Sequence, residues 1–183
     1  MKNDAKERMI RSISGFRLPR YAELPNVGLY LEQTVKFINY YLKPLGGPEL
    51  TASMVSNYVK QKLISNPQKK QYYTEHIAYL MFITVTKAVL TLEDIRLMFV
   101  IQRENYPLEA AYDYFCDELE TMLNHTFEIT KAPDHGQESQ ANAKDFLRNT
   151  LLTVVHKIYL EKYLESFREI LSATPSHPQE WET

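Results

Sequence analysis

Ser53, Ser56, Asn57 and Lys60 fall at offsets of three, four and seven, so in a helix they share one face. Their chemistry suits a nucleic acid. An asparagine amide can pair with adenine N6 and N7, serine hydroxyls serve base edges or phosphates, and a lysine neutralises a phosphate. Met54, Val55, Tyr58 and Val59 occupy the opposite side, the pattern of a helix with one buried and one hydrogen-bonding face. Lys69 and Lys70 follow in a turn opened by Asn66-Pro67, with Tyr72 close behind. They would reach backbone or minor groove. Arg17, Arg20 and Lys36 would extend the phosphate contacts, which set position rather than sequence. The competing readings are a solvated helix face and a plain basic turn.

Catalytic chemistry is thinly represented. Asp113 and Asp117 lie one helical turn apart with Glu120 nearby, so a carboxylate metal site can be drawn, against the simpler reading of a solvated acidic face. Histidines 76, 125, 135, 156 and 177 show no ligand spacing with Cys116. Asp134-His135-Gly136 is a loop tripeptide. Cys116 sits among Tyr114, Phe115 and Leu119, as a buried structural thiol would. With no Walker or dinucleotide glycine pattern, neither cofactor nor metal is expected, and the chain does not read as an enzyme.

The elements that must position these residues read as mostly α. The chain has 183 residues, 44% apolar, with five glycines and one cysteine. One cysteine excludes an internal disulfide and suits a reducing cytoplasm. No apolar run approaches the roughly 20 residues of a membrane span, and Met1–Arg8 is too charged for a signal peptide. Residues 1–72 carry 12 Lys and Arg against 5 Asp and Glu, whereas residues 73–183 carry 9 against 18. That split is expected where one end of a protein meets phosphates.

Helical spacing is evident over residues 4–14, over 28–42 and from Thr51, a good N-cap. Lys43-Pro-Leu-Gly-Gly-Pro48 breaks the chain between the last two. Thr74 is expected to cap a largely buried helix with the stripe Ile77, Leu80, Met81, Val85, Ala88 and Val89. Thr91 and Asp94 form a capping-box pattern. Pro107 suits the first turn of a helix running to about Leu123. Residues 127–140 read as a loop. The longest helix is expected over 141–171, with Phe146, Leu147, Leu151, Val154, Val155, Ile158, Tyr163, Phe167, Ile170 and Leu171 as its stripe. The resulting division is an N-terminal arm at 1–20, a DNA-binding unit at 21–104, a helical accessory and dimerisation region at 105–173, and a flexible tail at 174–183.

Several segments carry a family likeness. Asn57-Tyr-Val-Lys-Gln-Lys-Leu-Ile64 resembles the end of the recognition helix of MerR-type regulators, Tyr73-Thr-Glu-His-Ile77 the start of their third helix, and Leu92-Glu-Asp-Ile95 the start of their fourth. Arg17-Leu-Pro-Arg-Tyr21 and Leu29-Tyr-Leu-Glu-Gln33 are similar to a bacterial family of unknown function carrying a MerR-like domain. The likeness covers residues 14–125. It implies a MerR-like winged helix-turn-helix followed by a helical C-terminal region. Lys62 stands where such turns have glycine, which at positive φ would cost about 1 kcal/mol. The Lys87–Leu90 segment lacks the usual glycine, and recognition-helix arginines are largely absent.

The function expected from these residues is sequence-specific DNA binding in transcription regulation. The partners are double-stranded DNA, a second copy of the chain joined along the longest helix, and a small-molecule effector of unspecified chemistry. The alternative is a helical protein-interaction or ligand-sensing module that keeps the fold without binding DNA. The C-terminal aromatics Tyr112, Tyr114, Phe115, Tyr159, Tyr163 and Phe167 read as helix packing, with a ligand pocket or a dimer seam as the sharper alternative.

Overall fold

The computed structural model describes residues 2–127 and 143–173. The chain is mostly helical: α1 (Lys2–Ile13), α2 (Leu31–Leu42), α3 (Ala52–Lys60), α4 (Thr74–Thr86), α5 (Leu92–Asn105), α6 (Leu108–Thr126) and α7 (Ala143–Ala173). Two short strands, β1 (Leu29–Tyr30) and β2 (Gln71–Tyr72), pair antiparallel with Leu29 opposite Tyr72 and Tyr30 opposite Gln71. No helix among the described residues is long and apolar enough to cross a membrane.

α4 is the central helix. Its buried residues include His76 through Met81, Ile83, Val85 and Thr86, which cover most of its circumference. A helix apolar all round needs neighbours all round, and α2, α6 and α7 supply them. The hydroxyls of Thr84 and Thr86 donate to the carbonyls of Leu80 and Phe82, four residues back, so burial leaves neither proton unpaired.

The segment expected as an arm is α1, and its Met9 and Ile13 are buried in the same core as α4 and α7. The stripe expected along the longest helix is used within the chain over Leu151, Val154, Val155 and Ile158, all buried, where α7 packs on α6 and α1. Leu147 packs half-buried against the same core and Tyr163 is exposed, while Phe146, Phe167, Ile170 and Leu171 have side chains outside the described set. So do the expected loop beyond Phe127, with Asp134-His135-Gly136, and the tail from Thr174. Phe127, the turn residue that ends α6, is fully buried, with its ring 5.3 Å from that of Tyr159.

Local signals set several helix starts. Thr51 caps α3, its hydroxyl accepting from Met54 N at 3.2 Å. Thr91 and Asp94 complete a reciprocal box at the start of α5. At α4 the expectation shifts by one residue. Tyr73 is the N-cap, its N–H donating to His76 Nδ1 at 3.1 Å, while the Thr74 hydroxyl donates to Pro25 O. A cap three residues ahead of a histidine replaces the cap a threonine would have made.

Candidate nucleic-acid interface

α3 is fastened at both ends by residues from other helices. At its entrance the Asn39 amide makes a two-way bridge to Leu50, donating to Leu50 O at 2.8 Å and accepting from Leu50 N at 2.9 Å. At its exit the Arg96 guanidinium donates to Gln61 O at 2.9 Å and to Lys62 O at 3.4 Å. Those carbonyls lie just past the last turn, where no intrahelical donor remains. Val55 and Tyr58 face inward, and Ser53, Ser56, Asn57 and Lys60 face solvent.

Two of the four polar side chains are partly engaged. The Ser56 hydroxyl donates to Ala52 O at 2.9 Å, which leaves its oxygen able to accept. Asn57 Oδ1 accepts from Gln61 Nε2 at 3.2 Å, so a bidentate contact to a base would require Gln61 to let go.

The chain leaves α3 through Lys62 at φ 55°, the left-handed conformation that a glycine would adopt more easily. Leu63 and Ile64 are buried. Asn66 and Ser65 are then tied to α4 through His76, whose Nε2 lies 3.0 Å from Ser65 Oγ and 3.4 Å from Asn66 O. Because Nδ1 accepts from Tyr73 N–H, Nε2 must carry the ring proton and donate. A two-residue hairpin follows, closed by Gln68 N to Gln71 O at 3.0 Å and Gln71 N to Gln68 O at 2.9 Å. Its tip is Lys69 at φ 48° and Lys70 at φ 66°, both exposed. Two successive positive φ angles are the requirement of a type I′ turn, for which Asn-Gly is favoured. Tyr72 is buried and unavailable to a ligand. The hairpin base is locked to β1, where Gly28 leaves room for Gln71: a Cβ at Gly28 would stand 2.7 Å from Gln71 Cβ.

The arginines expected to widen the phosphate footprint are otherwise employed. Arg20 donates to both Glu120 oxygens at 2.7 and 2.8 Å, to Asp117 Oδ1 at 2.7 Å and to Leu18 O at 2.9 Å. The Glu120 hydrogen bonds raise its pKa above the ordinary value. Arg20 is therefore removed from the set of DNA contacts. Arg17 is exposed but bonded to Glu23 at 2.7 and 2.9 Å. The Arg20 backbone N–H, and after it Arg17, hold the Glu23 carboxyl below its usual range.

The same contacts account for the acidic cluster. Asp113 Oδ1 accepts from Tyr21 N at 2.7 Å, Glu120 accepts from Leu18 N at 2.8 Å, and Asp117 meets Arg20. The three carboxylates clamp residues 18–21 onto α6, and no acidic, histidine or cysteine cluster among the described residues has a metal-site arrangement.

A family profile described as a domain of unknown function (DUF1836) matches residues 19–115. The chain belongs to this family. The family segment runs from the clamp through α5 into α6, across the expected boundary at 104–105, and takes in every residue of α3 and the hairpin. No curated protein and no solved structure matches the chain.

The match corrects the likeness to MerR-type regulators: the family found is this one, and no helix-turn-helix or MerR family is found. The segments that carried the likeness lie mainly at helix starts and ends. Thr91 with Asp94, for example, is a capping box that any helix can carry, so it is weak testimony of descent.

Proposed function

We propose that the protein is a sequence-specific DNA-binding transcriptional regulator, with α2, the turn through Lys43–Leu50 and α3 serving as a helix-turn-helix and the Gln68–Gln71 hairpin as its wing. Ser53, Ser56 and Asn57 would read base edges. Lys60, Lys69 and Lys70 would neutralise phosphates. Arg17 would join them at the expense of an exposed ion pair, a small cost. No catalytic role is assigned.

One observation carries the reading. Lys69 and Lys70 are kept at an exposed tip in a backbone conformation that disfavours them. Neither packs into the core, and the positive φ angles that close the turn would be met at lower cost by asparagine and glycine, so the choice of lysine has no structural return, and backbone strain concentrates at functional sites. A pair of cations presented outward is a return that asparagine and glycine could not give. The rigid mounting of α3 by Asn39 and Arg96 supports the same reading, because a base-reading face needs a fixed orientation. The competing reading, an interaction module without DNA binding, draws on Arg20, whose charge is consumed internally.

The test is a gel shift of the full chain against the DNA upstream of its own gene at two salt concentrations. Retention that weakens steeply with salt is expected. Retention no stronger than that of a Lys60→Glu, Lys69→Glu variant would overturn the proposal.

A further inference from the structure

A cavity of about 290 Å³ opens between α4, α5, α6 and the start of α7. Its wall is mainly aromatic, with Tyr79, Phe82, Phe99, Tyr112 and Phe115 contributing, and all of these but Phe82 are buried. The rings meet edge-on or tilted: Phe82 has its centroid 5.2 Å from that of Phe115 and 5.6 Å from that of Phe99, and Tyr79 and Phe99 are 4.5 Å apart. Rings braced on one another in this way keep the space open and leave faces for a flat guest. Empty apolar space costs stability in proportion to its volume, so a guest that fills it is favoured. An apolar cavity of about 150 Å³ stays dry and admits benzene. This one, with about twice that volume, matches two fused rings. Of residues 128–142, between α6 and α7, only Ile129 has a large apolar side chain, so that segment has little to offer such a wall.

The polar groups along the wall are already engaged. Gln102 uses both ends of its amide: Nε2 donates to Tyr106 O at 2.8 Å, and Oε1 accepts from the Tyr79 hydroxyl at 3.3 Å. The Tyr112 hydroxyl is turned to the Cys116 thiol, and the Tyr114 hydroxyl to Glu118 and Arg148. The Lys144 ammonium lies over the rings of Tyr114 and Tyr106, 5.6 and 5.9 Å from their centroids. No carboxylate side chain is among the described lining residues. These groups serve one another, so a charged guest would lose its water and meet nothing to replace it. A guest with no charge and few hydrogen-bonding atoms avoids that cost, and the apolar wall then selects it.

We propose that this cavity binds an uncharged, flat aromatic molecule the size of two fused rings, seated among Phe82, Phe99 and Phe115. The site stands whether or not the protein binds DNA. It is tested by methyl NMR of the full chain, labelled at alanine and methionine and titrated with 2-naphthol. Ala78, Ala111 and Met98 line the cavity, so their methyl signals report its filling. They are expected to shift with a dissociation constant on the order of 0.1 mM, a fragment-sized affinity. 2-Naphthoate, which adds a charge to the same rings, should bind at least about ten-fold more weakly. Decahydro-2-naphthol, the saturated and puckered counterpart, should bind about five-fold more weakly. Ala111→Phe fills the cavity and should abolish the shifts of Ala78 and Met98. Should that variant not fold, nuclear Overhauser effects from naphthol to the Ala78 and Met98 methyls of the unaltered protein locate the ligand. Absence of shifts at about 1 mM naphthol, roughly ten times the expected constant, overturns the site. So do shifts that survive cavity filling, or Overhauser effects that reach neither methyl. Naphthoate or decahydronaphthol binding as tightly as naphthol overturns the ligand class.

Discussion

Replacing Lys69 and Lys70 by asparagine and glycine separates what the hairpin tip does for the fold from what it does for DNA. In the present structure both lysines hold positive φ, 48° and 66°. A side chain in that region costs about 1 kcal/mol relative to glycine, and asparagine tolerates it better than lysine. Two positions together offer up to about 2 kcal/mol. The added glycine returns about 0.5–1 kcal/mol of that to the unfolded chain, whose freedom it increases. A net stabilisation of about 1 kcal/mol remains, equivalent to a rise of about 2–4 °C in Tm for a chain of this size. The same change removes two cations. If both contact phosphate, the slope of log affinity against log salt should shrink by about 2. Thermal and urea unfolding read the first quantity, and fluorescence anisotropy with a labelled duplex across a salt series reads the second. Stability and DNA affinity should move in opposite directions. A variant that is less stable than its parent would refute the turn geometry. One that is more stable with an unchanged salt slope would refute the phosphate role of the tip and leave the fold intact.

Three further outcomes are expected. Gly28→Ala should destabilise the protein by about 1–3 kcal/mol in urea unfolding, the usual cost of overpacking, because its Cβ would fall 2.7 Å from Gln71 Cβ in the strand pair that anchors the hairpin; an effect below a few tenths would show that Gln71 moves freely. Arg96→Ala should uncap the end of α3, lowering stability by about 1–2 kcal/mol and raising amide exchange around Gln61 and Lys62, and unchanged exchange there would argue that solvent serves those carbonyls equally well. The buried Cys116 thiol is pushed up to about 12, chiefly by burial. The fold prefers it neutral, so its contribution is complete below the unfolded value of about 8.5 and declines as pH rises from there towards 12. Alkylation by iodoacetamide at pH 8 should therefore run no faster than global unfolding, and rapid labelling of the native protein would contradict the burial.

What the sequence made legible was local. The Thr51 cap, the Thr91–Asp94 box, the lysine pair at a turn and the inward faces of α3 and, from Ile77 to Val85, of α4 each depend on residues within one or two turns of each other, and all can be seen in the structure; Ala88 and Val89 lie beyond the end of α4, and Ala88 is exposed. The anticipated cost of Lys62 is realised in its φ of 55°. What escaped notice was long-range. Asn39 could not be singled out as the residue fastening α3, because an isolated asparagine in a helix carries no pattern; nor could Arg96, 35 residues from the carbonyl it meets. Asp113, Asp117 and Glu120 were visible as a cluster, but their partners lie 92 to 102 residues away, so periodicity held no hint that they grip backbone and Arg20 rather than water or metal. His76 figures in the sequence only as a histidine without metal spacing and as part of a helix-start segment, not as a cap partner. A histidine three residues beyond a prospective cap is the signal that could have found its role.

The grip of α6 on residues 18–21 has a consequence for the order in which the molecule can assemble. Leu18 and Arg20 close onto Glu120 across 102 and 100 residues, and Met9 and Ile13 share a core with Leu151 and Val155 near the far end of the chain. A ribosome adding about 5–20 residues per second releases the first twenty residues roughly 5–20 s before their docking surface exists. During that interval the α1 apolar face is uncovered, with the basic front of the chain emerging before the acidic segment that will balance Arg20. Docking of α1 and of residues 18–21 therefore waits for the appearance of α6 and α7. A nascent chain stalled before residue 120 would present α1 to the quality-control machinery rather than to its own core.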